Sequence, residues 1–396
     1  MQAAAWALMV AAPAFAGTIT VAPGPDAQER LQAALIDAKP GDVVDIAAGR
    51  YDLSDGLSLD VAGVTVRGAG PDKTVLSFAG QKAAGEGLLV TSDDVVLRDF
   101  AVEDARGDGI KSKGADRIVY KNIRVEWTGG PKETNGAYGL YPVESRDVLI
   151  DGALVKGASD AGIYVGQSRN IIVRNSTAMY NVAGIEIENC YDADVRNNLA
   201  THNTGGILIF DLPNLPQQGG HNIRVFNNRV IANDTPNFAP KGNIVASVPT
   251  GTGVMVMANR NVHVFDNDLA DNGTTNVMVV AYQSAFTDTH YTPMPRDVIV
   301  SGNRHGRAGF APAFAGGLEM AKAMGGSIPP VFWDGVGGAA ANVHLKDNVP
   351  ALSLNLPAQG APVTAARPAL YQPPATPAPA ALPTITLPAA MEAAVR

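Results

Sequence analysis

Two carboxylates two residues apart, Glu186 and Glu188, form a pair that could handle protons. On an extended strand the side chains of i and i+2 share one face, with Cα atoms about 6.5–7 Å apart. That spacing is in the range of a glycosidase acid/base pair, and crowding two carboxyls raises one pKa, as a general acid requires. Tyr141 and Tyr164 offer rings for a sugar face and phenols for acid/base work. Lys111 or Lys113 could neutralise a substrate carboxylate. Residues 106–132 hold seven basic against three acidic side chains, in a chain whose net charge is −8. Trp127, Asn135, Asp160, Gln167 and Asp211 flank these positions and are candidates for substrate contacts. A neutralised carboxylate, a proton removed at C5 and a proton supplied elsewhere amount to β-elimination or C5 epimerisation of a uronate-containing polysaccharide. Glycoside hydrolysis through Glu186 and Glu188 is the narrower enzymatic alternative.

These residues can meet only if the chain stacks them, and an internal repeat predicts that it does. A Gly before an apolar alternation recurs at Gly87, Gly109, Gly139, Gly162, Gly184, Gly206 and Gly253, with a degenerate copy at Asn276. The intervals of 22, 30, 23, 22, 22, 47 and 23 residues give a base period of 22–23. The long intervals hold insertions near 129–134, 212–220 and 235–249. Each turn runs Gly, strand, Asp/Asn corner, strand, second corner (Asn175, Asn197, Asn227, Asp266), then Asn181, Asn203, Asn233 or Asn272 in one register. Such a period predicts an all-β, right-handed, single-stranded parallel β-helix, with those asparagines stacked as a ladder. Alternation then puts Leu89, Lys111, Tyr141, Tyr164, Glu186, Leu208, Met255 and Met278 in one outward column. A second column holds Lys113, Val143, Gly166, Glu188, Phe210, Met257 and Val280. The face thus runs from basic, through tyrosines and glutamates, to an apolar end that the C-terminal segment would cover.

The ends of the chain set the context. Residues 1–16 are a short apolar run closing on Ala14-Phe15-Ala16, the pattern of a cleaved signal peptide, so the protein is expected in the periplasm or secreted. No stretch reads as a membrane span. The acidic balance argues against nucleic acid as a partner. Leu31, Ala34, Leu35 and Ala38 share a helical face over 26–38, a helix that would cap the first turn. The repeat fades after Asn303. A C-terminal cap is expected within 304–349, including a short helix over 317–324, and the β-helix domain spans 17–349. Residues 350–396, rich in Pro and Ala, read as a flexible tail. No cofactor is indicated. The six histidines lack metal-ligand spacing. Asp93-Asp94 and Asp192/Asp194 could hold Ca²⁺ with help from carbonyls, although corners favour aspartate for its own sake. Cys190, the single cysteine, aligns with Ser145 and Ser168 and reads as a stacked interior residue.

The helix followed by GDVVDIAAGRYDL resembles the N-terminal cap of pectate-lyase-like β-helices. The blocks WTGG (127–130), NGAYGLYPVES (135–145), SDAGIYVGQS (159–168), NVAGIEIENC (181–190), NTGGILIFDLP (203–213) and PTGTGVMVMAN (249–259) resemble those of an uncharacterised family of exported bacterial parallel β-helix repeat proteins. Cys190 stands where the fourth block usually has Ser. The resemblance implies the fold and no particular activity. Neither an aspartate trio of polygalacturonase type nor an Asp-Pro-His motif of alginate-epimerase type is present. A second class of function therefore stands beside the enzymes: a non-catalytic module of the bacterial envelope, binding a glycan or a protein partner.

Overall fold

The structure, a computed structural model, describes residues 16–83 and 85–396. The apolar stretch 1–15, the expected signal peptide, lies outside the described residues. Short Val/Ile/Leu segments between Asp/Asn corners form the strands, and each full turn adds one strand to each of three sheets. Among the described residues sheet 1, containing Arg169–Arg174, has 12 strands; sheet 2, containing Thr177–Met179, has 10; sheet 3, containing Ala161–Gly166, has 12. Neighbouring strands are parallel and in constant register, so equivalent residues of successive turns stack. Ile163, Ile185, Ile207, Val254 and Val277 form one such inward column, all fully buried. This is the parallel β-helix that the repeat predicts.

Two features hold the turns in register. Corner residues such as Asn175, Asn197, Asn227 and Asp266 take left-handed backbone at φ of 53, 56, 53 and 54°, which Asn and Asp tolerate best among non-glycine residues. The asparagine ladder forms as expected: Asn181 donates to Asn203, Asn203 to Asn233 and Asn233 to Asn272, at 3.0, 3.1 and 3.1 Å. A second ladder, one residue beyond the corner asparagines, links Asn198, Asn228, Asn267 and Asn303 and ends on Asp347. Each repeat Gly is required by close approach and not by φ. A Cβ on Gly162, Gly184, Gly206 or Gly253 would lie 2.4–3.0 Å from the carbonyl oxygen of the next turn.

The ends are covered. Helix α1 (Ala27–Asp37) buries Ala27, Leu31, Ala34 and Leu35 against the first turn. At the other end, helix α2 (Gly317–Ala323) packs beside sheet 3, and Ala369–Leu370 pairs antiparallel with Ala351–Ser353, closing that sheet. The cap thus reaches past 349. The segment 350–396, expected to be a flexible tail, instead follows a defined course back along the outer face of sheet 1. Its last helix, α3 (Ala389–Ala394), sets Met391 on Val119, Leu149 and Ile172. Glu392 pairs with Arg174, and the Ala394 carbonyl accepts from Arg98. Proline restricts the backbone entropy lost on ordering, and these three anchors supply the contacts that composition could not reveal. Among the described residues no helix is long and apolar enough to cross a membrane.

Candidate functional site

The outer face of sheet 3 carries the predicted columns: Lys111 beside Leu89 and Tyr141, then Tyr164, Glu186, Leu208, Met255 and Met278 in consecutive register. The face is a second interior and not an open groove. Leu208, Phe210, Met255, Met257 and Met278 are buried beneath Val245 and Val248 of the 235–249 insertion, Tyr291, α2 and Leu354–Leu356. The methionines are therefore covered, in part by the C-terminal segment as expected. A half-open apolar cavity of about 470 Å³ remains among Met255, Met257, Met278, Phe314, Phe332 and Leu354.

The polar stretch lies where this cover meets the tyrosines. Tyr138, Tyr141 and Tyr164 form a trio with ring centroids 4.5, 4.5 and 5.0 Å apart. The Tyr164 hydroxyl donates to Glu188 Oε1 at 2.6 Å. Glu186, only 1% exposed, makes no close hydrogen bond on either carboxyl oxygen among the described residues, and the Glu188 carboxyl is within reach to share its proton. Asp160 accepts from the Asn243 amide at 3.0 Å, which latches the 235–249 insertion over the cluster. Burial is the main cause of every pKa shift here. It pushes Glu188 up to about 7, with the Tyr164 hydrogen bond opposing and the Asp160 charge assisting. Asp160 likewise rises to about 7, although Asn243 opposes. Glu186 rises well above the usual carboxylate range, through burial and then its neighbours Asp160 and Glu188. Asp108 rises to about 6. The Tyr164 phenol is pushed far up by burial and then by Glu188, so it stays protonated. The cluster is a set of proton-holding acids, several of them poised to ionise near neutrality.

The cluster thus unites Tyr141, Tyr164, Glu186, Glu188 and Asp160 of the sequence candidates. Lys111 stands at its more open end, 4.8 Å from the Tyr141 ring centroid. Its ammonium already faces Glu86 at 3.1 Å and Asp108 at 3.8 Å. The basic segment 106–132 is not a clamp. Lys113 points to Glu144, Arg117 to Asp93 and Asp94, Lys121 to Asp151, and Arg124 to Glu103 and Glu126, on several faces. Other candidates hold the fold. Trp127 is buried and donates to the Ala105 carbonyl. Asn135 donates to the carbonyls of Gly130 and Gly157. Asp211, raised to about 6 by burial, anchors the 212–220 insertion through the amides of Gly219 and Gly220. Gln167 is a left-handed corner residue outside the cluster. Cys190 is stacked inside, accepting from the Ser168 amide at 3.4 Å. Asp93, Asp94 and Asp194, weighed as Ca²⁺ ligands, accept from arginines instead. Among the described residues no group of three His, Cys, Asp or Glu side chains is placed to hold a metal ion.

Tyr138, Asp108 and Asn243 escaped sequence reasoning. Strict alternation puts Tyr138 inside with Leu140. Gly139 also points inward, where a Cβ would meet the core residue Val155 at 2.2 Å. Two consecutive inward residues return Tyr138 to the outer face. The recurring Gly was the available signal.

The sequence profile for the right-handed β-helix region matches residues 73–215. The chain is a right-handed parallel β-helix repeat protein. No curated protein matches it. This β-helix is similar to the A-module of a mannuronan C-5 epimerase from Azotobacter vinelandii, with a TM-score of 0.53 and 15% identity over 84% of this chain and 94% of that one. It is similar to an alginate lyase from Paenibacillus sp., at 0.52 and 18% over 74% and 97%. It is also similar to a polygalacturonase from Erwinia carotovora, at 0.50 and 10% over 75% and 95%.

Proposed function

We propose that this β-helix protein acts on a uronate-containing polysaccharide by β-elimination or C5 epimerisation, in the periplasm or outside the cell. The observation that carries the reading is the Tyr164–Glu188 hydrogen bond of 2.6 Å beside a buried Glu186 that makes no close hydrogen bond among the described residues. In that arrangement Glu188, with a pKa near 7, is the carboxylate that takes the C5 proton. In elimination the C5–H electron pair becomes the C4=C5 double bond, the C4–O bond breaks, and Tyr164 protonates the leaving oxygen. In epimerisation Tyr141 returns a proton to C5 from the other face, and the proton held by Glu188 passes back to Tyr141 as the product leaves. Glu186 and Asp160 keep the surroundings neutral while protonated, and Lys111 meets the uronate carboxylate at the open end in exchange for Glu86. Entry of a sugar requires the Asn243–Asp160 contact to release. Three proteins of similar fold are by name a mannuronan epimerase, an alginate lyase and a polygalacturonase, which supports the substrate class.

The test is a screen of the protein from Gly17 onward against polyuronates and neutral glycans, with and without Ca²⁺. Unsaturated-uronate absorbance, reducing ends and sugar configuration by NMR are followed. A new double bond or an inverted C5 is expected. Reducing ends alone, from a neutral glycan, would replace this reading with hydrolysis. The closure of the cluster favours a second reading, a non-catalytic envelope module that binds a glycan or a protein partner. Silence across the panel, with capture of an envelope protein in pull-downs, would select it.

A further inference from the structure

The corner between sheets 3 and 1 repeats one position in every turn. Arg146, Arg169, Tyr191, His221, Arg260 and Arg296 occupy it in six consecutive turns, each paired with the next. At about 4.8 Å per turn the column runs roughly 24 Å along the solenoid. Arg146, Arg169 and Arg260 are exposed, and the other three are half-exposed. Nine of the arginines form ion pairs; these four form none among the described residues. Others elsewhere, such as Arg196 and Arg229, also form none there, but only these four share one stacked column. The aspartates one position further on, Asp147, Asp192 and Asp297, each accept an amide hydrogen from Asn170, Asn222 or Asn342.

The middle of the column is aromatic. The Tyr191 and His221 rings lie 4.4 Å apart, and the Arg169 guanidinium is 6.0 Å from the Tyr191 ring centroid. A cavity flanks this stack on each side. One of about 450 Å³ is lined by Arg146, Gln167, Arg169 and Gln217, and also by the acids Asp116 and Glu144. The other, of about 490 Å³, is lined by His221, Arg260 and the acid Asp297 beneath Pro379–Leu382 of the C-terminal segment. Buried polar atoms without partners, Gln167 Oε1 and Arg296 Nε, lie at this corner.

We propose that this column is a binding track for a linear acidic glycan, separate from the sheet 3 cluster. Guanidinium groups at both ends take carboxylates, and the Tyr191–His221 stack takes a sugar face between them. The choice of glycan rests on the function proposed above; the cationic track itself does not. Nucleic acid is disfavoured by the net charge of −8.

The test is calorimetric binding of oligogalacturonate and oligomannuronate, with carboxyl-reduced oligomers as neutral controls. The protein is wild type, the Arg169→Gln/Arg260→Gln double variant (the Gln/Gln variant), its Lys/Lys counterpart, and Arg304→Gln/Arg307→Gln as a control of equal charge change. Wild type should bind the acidic oligomers, less tightly as salt rises, and the neutral ones weakly. The Gln/Gln variant should lose about tenfold or more, and Lys/Lys should recover part of it. The Arg304→Gln/Arg307→Gln variant, which removes the same charge from exposed ion pairs off the track, should bind nearly as wild type does. Equal binding by the Gln/Gln variant, equal binding of the neutral oligomers, no binding by wild type, or tighter binding of single-stranded DNA would each overturn the track. Binding with this pattern but without turnover would retain the track and remove the catalytic reading. Turnover untouched in the Gln/Gln variant with unchanged affinity would do the reverse.

Discussion

The outer faces of sheets 3 and 1 come from the same strand-and-corner repeat, yet they treat buried carboxyls in opposite ways. On sheet 1, Asp151 is as inaccessible to solvent as Glu188 but lies nearer the surface, and Arg174 and Lys121 reach it at 2.6 and 3.1 Å. Burial alone would raise its pKa; those hydrogen bonds outweigh burial and hold it below the usual range. On sheet 3, Glu186, Glu188 and Asp160 share one site with no cation inside it, and all three are raised. The sheets supply the same scaffold to both faces. The difference lies in what a neighbouring turn places one step away: Arg174 opposite Asp151, but Glu186 opposite Tyr164 and Leu208. A fold that can pair its carboxylates and here does not has kept a costly cluster, the usual mark of a site that works with protons.

The sharpest way to break this contrast is Tyr164→Phe. It removes one hydroxyl and leaves the ring trio in place. On the substrate found by the polyuronate screen, turnover should fall by about 100-fold or more, with the thermal midpoint moving little. Unchanged turnover would mean that the cluster is only a packed interior. On the other face, Arg174→Met should leave Asp151 buried with only Lys121 and Asn175 as partners, and Glu392 without its partner. Denaturant unfolding should show a loss of about 2–4 kcal/mol. A loss below about 0.5 kcal/mol would show that the sheet 1 pair contributes no more than an exposed one.

Much of the contrast is legible in the sequence. Glycine spacing and the Asn181–Asn272 register predict the stacked turns, because a period-22 repeat with inward Ile/Val columns leaves no other way to bury them. Alternation also placed Tyr164, Glu186 and Glu188 on one face. What the sequence withheld was cover. The 235–249 insertion shows no periodicity, so nothing marked Asn243 as the latch on Asp160. Composition likewise hid the course of 372–396, which a few anchors such as Met391 and Glu392 decide. Basic residues grouped along the chain at 106–132 looked like a clamp, but a solenoid sends neighbours in sequence to different faces. Arginines without an ion pair among the described residues do align one turn apart, at Arg146 and Arg169 and again at Arg260 and Arg296.

Stability against pH gives the finest test of the two faces, because their signs differ. A carboxyl whose folded pKa is lowered, such as Asp151, stabilises above its unfolded value and loses that contribution as pH falls through the folded pKa. A carboxyl whose folded pKa is raised does the opposite. Its contribution is fully present below the unfolded value of about 4.3 and is lost as pH rises through the folded value, near 7 for Glu188 and Asp160. Between about pH 4.5 and 7 the sheet 3 cluster should therefore pull stability down as pH rises. Glu188→Gln removes one ionisation from that window. At pH 8 it should unfold about 1–3 kcal/mol less readily than wild type, and at pH 5 within about 1 kcal/mol of it. Arg174→Met, in contrast, should cost more at pH 8 than at pH 3, where Asp151 is more nearly neutral. If Glu188→Gln shifted stability equally at both pH values, Glu188 would not be holding its proton near neutrality, and the base in the proposed reaction would have to be sought at Asp160.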